Sequence, residues 1–310
     1  MIEFNTLTLD DIEKLRPYFQ HQKGRICDCT VGGTFMWRDY FNTRYAIVEG
    51  TLVFMVDYLN HRRTFTYPMG ERIDAALDAL TEYSLECSSD LIFSMVSRVD
   101  LYTLHKKFPS VTYLARGEWS DYIYNKDDIV SLKGKRYNGQ RNHINRFLKL
   151  YPEYSFDMIT AENLPAVREF YVDFMHRPEL HKNGELFSEE SNKALEVLDN
   201  YEKYGLLGGA LSVNGRIVGF AVGEVVNDTL YVHIEKASRE YEGAYNMLVN
   251  SFAERFAGDD VLYINREEDD GDMGLRTSKL SYHPVDILEK FTASVCLCSD
   301  ERYKKASNSC

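Results

Sequence analysis

The chain has 310 residues, of which 44% are hydrophobic and 27% charged, and its formal net charge is −12. These values are typical of a globular protein with one large domain or two ordinary ones, and the acidic balance argues against general binding to nucleic acid. No window approaches the roughly 18 apolar residues that a membrane-spanning helix needs, and the N-terminus has acids where a signal peptide is basic, so a cytoplasmic protein is expected. The C-x-C spacings at Cys27–Cys29 and Cys296–Cys298, without paired histidines, favour reduced thiols over a metal site.

The first half of the chain is predicted to alternate helices with β-rich runs. Apolar and aromatic residues recur at helical spacing between residues 10 and 20, and the stretch at 34–41 continues the helical pattern. The β-rich runs at 45–48 and 51–56, on either side of Glu49-Gly50, predict a hairpin. The other expected elements are strands at 64–67, 91–96, 111–114 and 122–124 and helices at 72–86 and 101–107.

The second half repeats this order. Helices are expected at 140–149, 163–175 and 189–204. Asn214-Gly215, between β-rich runs at 210–213 and 216–222, is the strongest short hairpin signal that a sequence can carry. The remaining expected elements are strands at 229–235, 261–264 and 291–298 and helices at 245–256 and 284–290.

The shared order of elements predicts a duplicated α+β architecture. Each half runs helix, helix, hairpin, strand, helix, strand, helix, strand over roughly 130 residues. Residue identity between the halves is not visible, so the prediction depends on order alone. The expected boundary lies at a basic helix, with an N-terminal unit at 1–138 and a C-terminal unit at 139–310 that begins with this helix.

Five short motifs carry a resemblance to a known family. They are Leu132–Tyr137, Arg141–Phe147, Tyr241–Ala244, Ile264–Glu268 and Gly274–Pro284. They resemble the phosphatidylglycerol lysyltransferase C-terminal-domain family, over about residues 121–291. The element order also resembles the GNAT acyltransferase fold, which occurs twice in tandem in the Fem-type aminoacyltransferases. The resemblance implies two GNAT-like units with mixed, mostly antiparallel sheets flanked by helices, the first unit being degenerate.

A basic segment lies at the expected junction. Residues 133–149 contain six Lys or Arg and no acid. On a helical wheel, Ile144, Phe147, Leu148 and Tyr151 share an apolar face and the cations point outward. A solvated helix face and a site for a polyanion, such as a tRNA end or a phosphorylated small molecule, both explain the pattern. The candidate polyanion-binding residues are Lys135, Arg136, Arg141, Arg146 and Lys149.

Candidate catalytic residues lie in the second half. The strand at 229–235 alternates, so that His233 and Glu235 share one face. Acyl transfer to an amine requires a base for its proton, and Glu235 or His233 is the candidate. Tyr282 is a candidate acid for the leaving hydroxyl. A polar face turned to solvent is the alternative explanation of the strand.

The donor-binding prediction rests on a pair of cations. Arg276 and Lys279, three residues apart, are expected to clamp a carboxylate or phosphate of the donor. Structural pairing with the acidic run at 267–270 is the competing interpretation. Tyr241, Gly243 and Asn265, which lie in the motifs that carry the resemblance, are expected to contact the donor as well.

The donor itself is expected to be aminoacyl-tRNA or acyl-CoA. In a GNAT unit the phosphates of acyl-CoA lie at the N-terminus of the helix after the central strand, where backbone N–H groups bind anions. Here Glu240 and Glu242 precede that helix, and like charges there disfavour a pyrophosphate. Acyl-CoA is therefore the weaker candidate.

The expected function is transfer of an acyl or aminoacyl group to an amine or hydroxyl acceptor. One alternative is an acyl-CoA-dependent N-acetyltransferase, and another is a non-catalytic binder of a phosphorylated metabolite or RNA. No cofactor is expected beyond the donor. The expected partner is tRNA or a phosphorylated small molecule, and peripheral contact with a membrane stays open.

Overall fold

The computed structural model describes residues 2–58, 62–176 and 184–297 and divides the chain into two compact units. The first comprises Met1–Asp121 together with Leu288–Cys310, and the second comprises Tyr122–Ile287. The sequence predicted a single boundary between residues 138 and 139. The chain instead leaves the first unit after residue 121 and returns to it at residue 288. A local pattern does not encode the pairing of strands that are this distant in sequence.

The first unit is built on a seven-stranded sheet. Its strands are β1 (Asn5–Thr6), β2 (Arg44–Val48), β3 (Thr51–Tyr58), β4 (Arg62–Phe65), β5 (Leu91–Val96), β6 (Val111–Ala115) and β14 (Phe291–Val295). The order is β1-β2-β3-β4-β5-β14-β6, in which β4 and β5 are parallel and the other neighbours antiparallel. The predicted hairpin at Glu49-Gly50 is the β2–β3 pair.

Among its described residues, the first unit has four α-helices: α1 (Ile12–Leu15), α2 (Val31–Met36), α3 (Ile73–Glu86) and α4 (Arg98–Lys107). α2 and α4 begin at polar caps, since the side chain of Thr30 accepts from the Gly33 N–H and that of Ser97 from the Asp100 N–H. The helix predicted at 10–20 is shorter than expected. Residues 16–21 form a 3₁₀ turn that contains Pro17, which has no N–H to continue an α-helix.

The second unit has its own seven-stranded sheet. Its strands are β7 (Asp121–Asn125), β8 (Tyr154–Met158), β9 (Leu207–Val213), β10 (Arg216–Val226), β11 (Thr229–Ala237), β12 (Tyr263–Asn265) and β13 (Asp286–Leu288). The order is β13-β7-β12-β11-β10-β9-β8, with β11 and β12 parallel. The turn Asn214-Gly215 joins β9 to β10, as the sequence predicted.

The helices of the second unit are α5 (Lys126–Ser131), α6 (Asn138–Leu150), α7 (Leu164–Met175), α8 (Gly184–Asp199), α9 (Tyr201–Tyr204), α10 (Ala244–Phe256) and α11 (Met273–Ser281). The helix predicted at 284–290 is wrong, because residues 286–288 form β13. The helix lies earlier, where the Asp272 carboxylate accepts from the Gly274 and Leu275 N–H groups and caps α11.

Each sheet has a separate apolar core. In the first unit, Leu77 and Leu80 of α3 pack with Phe93 of β5. In the second, Leu248 and Phe252 of α10 belong to the buried cluster that covers β9 to β12. Burial of these side chains holds α10 against the sheet, and its N-terminal turn is thereby fixed beside the end of β11.

The cysteines differ in exposure. Cys27 and Cys29 are buried free thiols, and Cys87 and Cys296 are exposed. Cys298, the second cysteine of the C-terminal C-x-C pair, lies outside the described residues, as does the end of the strand predicted at 291–298.

Candidate active site

The candidate active site lies where the two parallel strands of the second sheet separate. The pairing runs from Thr229 to Tyr231 on β11 and ends at Asn265 of β12. β11 continues to Ala237, whereas Glu267, with φ of 57°, turns the chain away after β12. Within the described chain, the second half of β11 therefore has a partner strand on the β10 side alone, and side chains fill the separation on the other side.

A buried ion pair occupies this separation. Arg266, directly after β12, donates from Nη2 and Nε to Oε2 of Glu235 over 2.7 and 3.1 Å. Tyr245, in the first turn of α10, donates its phenol proton to the same oxygen over 3.0 Å. The Arg266 side chain is 1% exposed and that of Glu235 is 11% exposed. These bonds all fall on Oε2, so Oε1 of Glu235 takes part in none of them.

One nitrogen of Arg266 is unsatisfied. Nη1 is buried, and no described residue accepts a hydrogen bond from it. The rings of Tyr282, Tyr124 and Tyr245 surround the guanidinium, with centroids 4.9, 5.8 and 5.9 Å from its carbon. A buried donor without a partner costs about 1–3 kcal/mol. The fold thus retains a buried N–H group without an acceptor among the described residues.

Tyr282 holds its proton at neutral pH. It follows α11 and is 2% exposed, and burial raises the pKa of its phenol to about 12 despite the nearby Arg266. Asn246, on α10, donates its amide N–H to the phenol oxygen over 2.7 Å. Since the oxygen accepts this bond, the O–H itself remains available as a donor. The structure brings Glu235 and Tyr282 together around Arg266.

The surroundings of His233 do not suit its predicted role as the base that accepts a proton. Its Nε2 is 3.0 Å from Glu224 and its Nδ1 is 2.7 Å from Glu267, and its side chain is 1% exposed. Burial alone would lower its pKa, but the two carboxylates raise the pKa of His233 to about 10. An imidazole that is protonated at neutral pH cannot accept a proton, so we assign His233 no base role.

Residues 265–268 form a turn that Lys279 fixes. The amide oxygen of Asn265 accepts from the Glu267 N–H over 2.7 Å. Nζ of Lys279 donates to the carbonyl oxygens of Arg266, Glu267 and Glu268. An ammonium has three protons, so this lysine has no donor left for a ligand. Burial lowers the pKa of Lys279, and the side chain holds Arg266 in place instead of reaching the solvent.

Arg276 is also committed to a structural pair. It donates from Nε and Nη2 to the two oxygens of Asp269 over 2.9 and 2.8 Å, and Tyr122 donates to the same carboxylate. The hydrogen bonds hold the pKa of Asp269 below its usual value against the opposing effect of burial. This geometry is the competing interpretation of the Arg276–Lys279 spacing, and the two cations stabilise the loop between β12 and α11.

The loop before α10 packs on the basic helix α6. Gly243 has φ of 82°, and a Cβ there would lie 2.3 Å from the carbonyl oxygen of His143 on α6. The ring of Tyr241 lies 5.2 Å from that of Tyr151, and Glu242 pairs with Arg146 over 2.7 Å. Gly243 and Tyr241 therefore join the loop to α6, where the sequence predicted donor contacts.

The other cations of the basic segment divide into two sets. Arg141 donates to the carbonyl oxygens of Leu132 and Gly134, and Arg136 pairs with Asp128 over 2.8 Å. Lys135 and Lys149 are exposed and have no partner among the described residues. The arginines thus stabilise the turn and helix, and the lysines are free for an anion.

Sequence reasoning missed three members of the cluster: Arg266, Tyr245 and Asn246. Arg266 was visible as the middle residue of Ile264–Glu268, a charged residue at the end of a buried strand. Tyr245 and Asn246 follow the loop at Gly243 in the first turn of α10. No periodicity identifies such residues, because their role depends on what lies opposite them.

The two sheets, each with one parallel pair of strands flanked by antiparallel strands, define a tandem GNAT-like acyltransferase fold. The profile of the family described as phosphatidylglycerol lysyltransferase, C-terminal, matches residues 23–294, and the chain belongs to this family. The resemblance and the fold class inferred from the sequence are thereby confirmed. Among the described residues, no helix combines the length and the apolar character needed to cross a bilayer.

Several solved structures are similar to this chain. A conserved protein of unknown function from Bacteroides thetaiotaomicron is 32% identical, with a TM-score of 0.88 over 96% of this chain and 100% of that one. L-PGS from Bacillus licheniformis is 15% identical, with a TM-score of 0.62 over 94% of each chain, and FemX is 8% identical, with a TM-score of 0.57 over 93% and 97%. The last two show the shared fold.

One relative was found by sequence among curated proteins. An uncharacterised protein of Mycoplasmoides gallisepticum is 26% identical over 177 residues, which are 57% of this chain and 56% of that protein. The matched part thus spans about half the length of this curated relative.

Proposed function

We propose that this chain transfers an acyl group from an ester donor such as aminoacyl-tRNA to an amine or hydroxyl acceptor. The observation that carries the proposal is the cluster of Glu235, Arg266 and Tyr282 at the separation of β11 and β12, which combines a carboxylate, an unsatisfied N–H and a protonated phenol. Membership of the phosphatidylglycerol lysyltransferase, C-terminal, family supports this class of chemistry.

Glu235 accepts the proton of the acceptor in this proposal. Arg266 and Tyr245 fix the carboxylate through Oε2, and Oε1 remains free for the amine or hydroxyl. As the acceptor attacks the ester carbonyl, its proton passes to Oε1. Arg266 Nη1 donates to the oxygen on which negative charge develops, which also removes the energetic penalty of its own burial.

Tyr282 donates its proton to the leaving oxygen. An alkoxide is a poor leaving group, and a phenol whose pKa is about 12 is protonated at neutral pH yet more acidic than the alcohol that it forms. The proton taken up by Glu235 returns to Tyr282 through solvent before the next turnover. Asn246 holds the phenol oxygen in position throughout, through its 2.7 Å bond.

An ester on tRNA suits the loop before α10 better than acyl-CoA does. The Ala244 N–H already donates to the Tyr241 carbonyl over 3.0 Å, and Gly243 is in close contact with the backbone of α6. A pyrophosphate would need free backbone N–H groups in this loop, and its negative charge would lie close to the carboxylate of Glu242. The exposed Lys135 and Lys149 are the proposed contacts for the phosphates of tRNA. Charged tRNA is made in the cytoplasm, so we propose that the protein acts there.

A transfer assay tests the proposal. The protein is incubated with a mixed population of charged tRNA and a protein-free cell extract as the acceptor pool, and loss of the ester is followed. Glu235→Gln and Tyr282→Phe should each lower the rate by about 10²–10⁴-fold, the usual contribution of a positioned acid or base. Binding of charged tRNA should remain at the parent level in both variants.

Two matched variants control for the substitutions themselves. Glu254→Gln changes an exposed carboxylate of α10, and Tyr204→Phe changes a buried tyrosine outside the cluster, so both should keep the parent rate. If Glu235→Gln and Tyr282→Phe both keep the rate of the parent, the reaction takes place elsewhere in the protein. If the parent does not react with charged tRNA but consumes acetyl-CoA, the acyl-CoA alternative is established.

A further inference from the structure

β6 is an edge strand of the first sheet with an exposed and uncharged sequence. It pairs with β14 on one side and ends the order of strands on the other. Thr112, Tyr113 and Leu114 are all exposed, and the exposed fractions of Tyr113 and Leu114 are 58% and 61%. Because successive side chains of a strand point to opposite faces, both faces of the sheet are open to solvent at this edge.

The register between β14 and β6 determines which backbone groups of β6 point outward. Just before the paired residues, Ser110 accepts a hydrogen bond from the N–H of the opposite residue, Cys296, over 3.0 Å. Hydrogen-bonded and non-hydrogen-bonded pairs alternate in an antiparallel ladder, so the even-numbered residues of β6 bond to β14. The N–H and C=O groups of Val111, Tyr113 and Ala115 therefore point away from β14, and no described residue bonds to them.

The other three sheet edges have features that prevent pairing with another strand. β1 is only 2 residues long, β8 contains the exposed Asp157, and β13 contains the exposed Asp286. Short edge strands and edge charges are common protection against association between sheets. β6 is 5 residues long and has no charged side chain. Among the four sheet edges that the structure describes, β6 is therefore the unprotected one.

The charged residues next to β6 have partners within the chain. Before the strand, the ammonium of Lys107 lies 2.8 Å from a carboxylate oxygen of Asp78. After the strand, the guanidinium of Arg116 lies 3.8 Å from the carboxylate of Glu118. Because both cations have a carboxylate beside them, a second chain that approaches β6 meets little net charge at either end of the strand.

Aromatic side chains extend this surface from β6 onto α4. The ring of Tyr113 stands edge-on to the rings of Phe291 on β14 and His105 on α4, with centroids 5.6 and 5.8 Å apart. Tyr102, one turn before His105 on α4, is 62% exposed, and the ammonium of Lys106 lies 4.4 Å from its ring centroid. Exposed tyrosines beside an open strand edge have the composition of a protein–protein interface, in which aromatic residues are enriched.

From this edge we infer that two copies of the chain pair through β6, antiparallel and about a two-fold axis at Tyr113. In this pairing Tyr113 lies opposite Tyr113 of the second copy, and Val111 lies opposite Ala115. All the outward-facing N–H and C=O groups of the two strands then bond to each other. On the other face of the sheet, Leu114 lies opposite Thr112 of the second copy. The two first sheets thus continue into one another across the axis.

A second copy fits this edge better than other occupants do. Lipid headgroups and nucleic acids do not present alternating N–H and C=O groups at the spacing of a strand, whereas another extended backbone does. β6 is complementary to itself, because its outward-facing residues are placed symmetrically about Tyr113, as a two-fold interface requires. The pairing also brings no like charges into contact, although each chain has a net charge of −12.

The mass of the full chain in solution tests the inference. Light scattering after size-exclusion chromatography should give twice the mass of one chain, and the mass should fall on dilution. Tyr113→Lys places two ammonium groups opposite each other at the axis and should raise the dissociation constant of the dimer by at least about tenfold. Tyr113→Pro removes the central outward N–H without removing a bond to β14, and should also give a monomer where the parent is dimeric.

Tyr40→Lys is the matched control. Tyr40 is 48% exposed and lies in the first unit but outside β6, so this variant should keep the mass of the parent. Circular dichroism of the three variants shows whether each has the secondary structure of the parent. A parent that is monomeric at every concentration overturns the inference, and so does a dimer that persists in both folded Tyr113 variants.

Hydrogen exchange followed by NMR shows whether the backbone of β6 forms the contact. The amides of Val111, Tyr113 and Ala115 should exchange more slowly as the protein concentration rises. The amides of Thr112 and Leu114 bond to β14 in the single chain, so their exchange should depend much less on concentration. A dimer in which the three outward amides exchange equally fast at all concentrations contradicts the inference. Protection of these amides in a monomer contradicts it as well, because another segment then covers the edge.

Discussion

The two sheets follow the same strand pattern and differ in what lies at their parallel pair. In the first sheet, β4 and β5 pair at Phe65 and Phe93, and Thr64 and Ser94 share a hydrogen bond of 2.7 Å between buried hydroxyls. In the second, β11 and β12 separate around charged side chains. Each pair has a residue in the left-handed region near the end of its second strand: Met95, the penultimate residue of β5, has φ of 52°, and Glu267, two residues after β12, has φ of 57°.

This difference separates folding from chemistry. The first sheet forms the same parallel pair, connected by α3 as the second is by α10, and buries hydroxyl and apolar groups there, while its ion pair, Arg62 with Asp90, is exposed. The buried charges of Glu235 and Arg266 are therefore not required by the backbone arrangement. Buried ion pairs stabilise a protein little compared with apolar residues of the same volume. We attribute their presence in the second unit to the proposed reaction.

Among the variants that test this contrast, Arg266→Met is expected to have the largest effect on stability. The change leaves the Glu235 carboxylate buried without its counter-ion, and should lower the free energy of unfolding of the second unit by about 3–5 kcal/mol. Hydrogen exchange of the α10 amides measures it. Adding Glu235→Leu should restore most of the loss, because both charges are then absent. A single variant within about 1 kcal/mol of the parent would mean that the pair behaves as an exposed one.

The pH dependence of the second unit should follow His233. Its pKa is higher when folded, about 10 against 6.5, so the bond to the carboxylates stabilises fully below pH 6.5 and is lost as the pH rises towards 10. Hydrogen exchange at pH 6.5, 8 and 9.5 measures both units.

The control for this effect is His233→Gln. It should destabilise the second unit most at pH 6.5 and least near pH 10, where the parent has itself lost the imidazolium. A difference between parent and variant that stays constant over this range would show that His233 does not titrate in it.

A smaller effect is expected at the surface of α6. Lys135→Gln with Lys149→Gln should weaken tRNA binding, and the slope of log K against log salt should fall by about 0.7–0.9 for each phosphate that a lysine no longer neutralises. Lys106→Gln, on α4 of the first unit, is the control and should leave the slope unchanged. If the slope is the same in all three proteins, the basic segment is a solvated helix face and not a binding site for a polyanion.

The smallest effect is expected from Thr64→Val with Ser94→Ala. Both hydroxyls are buried and bond to each other, so their joint replacement by apolar groups should change the free energy of unfolding by less than about 1 kcal/mol. The rate of transfer should equal that of the parent. If this variant loses transfer activity, part of the chemistry takes place in the first unit, and the contrast between the two sheets is wrong.

The sequence predicted the local parts of this structure well. The turn at Asn214-Gly215 and the strand predicted at 229–235 depend on neighbours in the chain, and both occur as expected. Glu235 and Tyr282 were identified as candidate catalytic residues for chemical reasons, and the structure brings them to one place. Arg266, which joins them, was missed because its role depends on the separation of two strands.

Distant pairing explains the other failures. The acids of residues 267–270 were seen as possible partners of Arg276, but the sequence could not say that Asp269 accepts both bonds or that Lys279 binds three carbonyl oxygens. Gly243 was interpreted as part of a donor loop, whereas its missing Cβ makes room for the carbonyl oxygen of His143. Such interactions are absent from any local pattern.

The place of β14 has a consequence for synthesis on the ribosome. This strand, residues 291–295, lies between β5 and β6, although all of its neighbours are translated before the second unit begins. Until it emerges, β5 and β6 have an open edge towards each other, and unpaired edges favour association with other chains. We therefore expect the first unit to complete its fold only after the second unit has been synthesised. A nascent chain that stops at residue 287 should expose its first sheet to proteases and chaperones, while the later-made second unit is already folded.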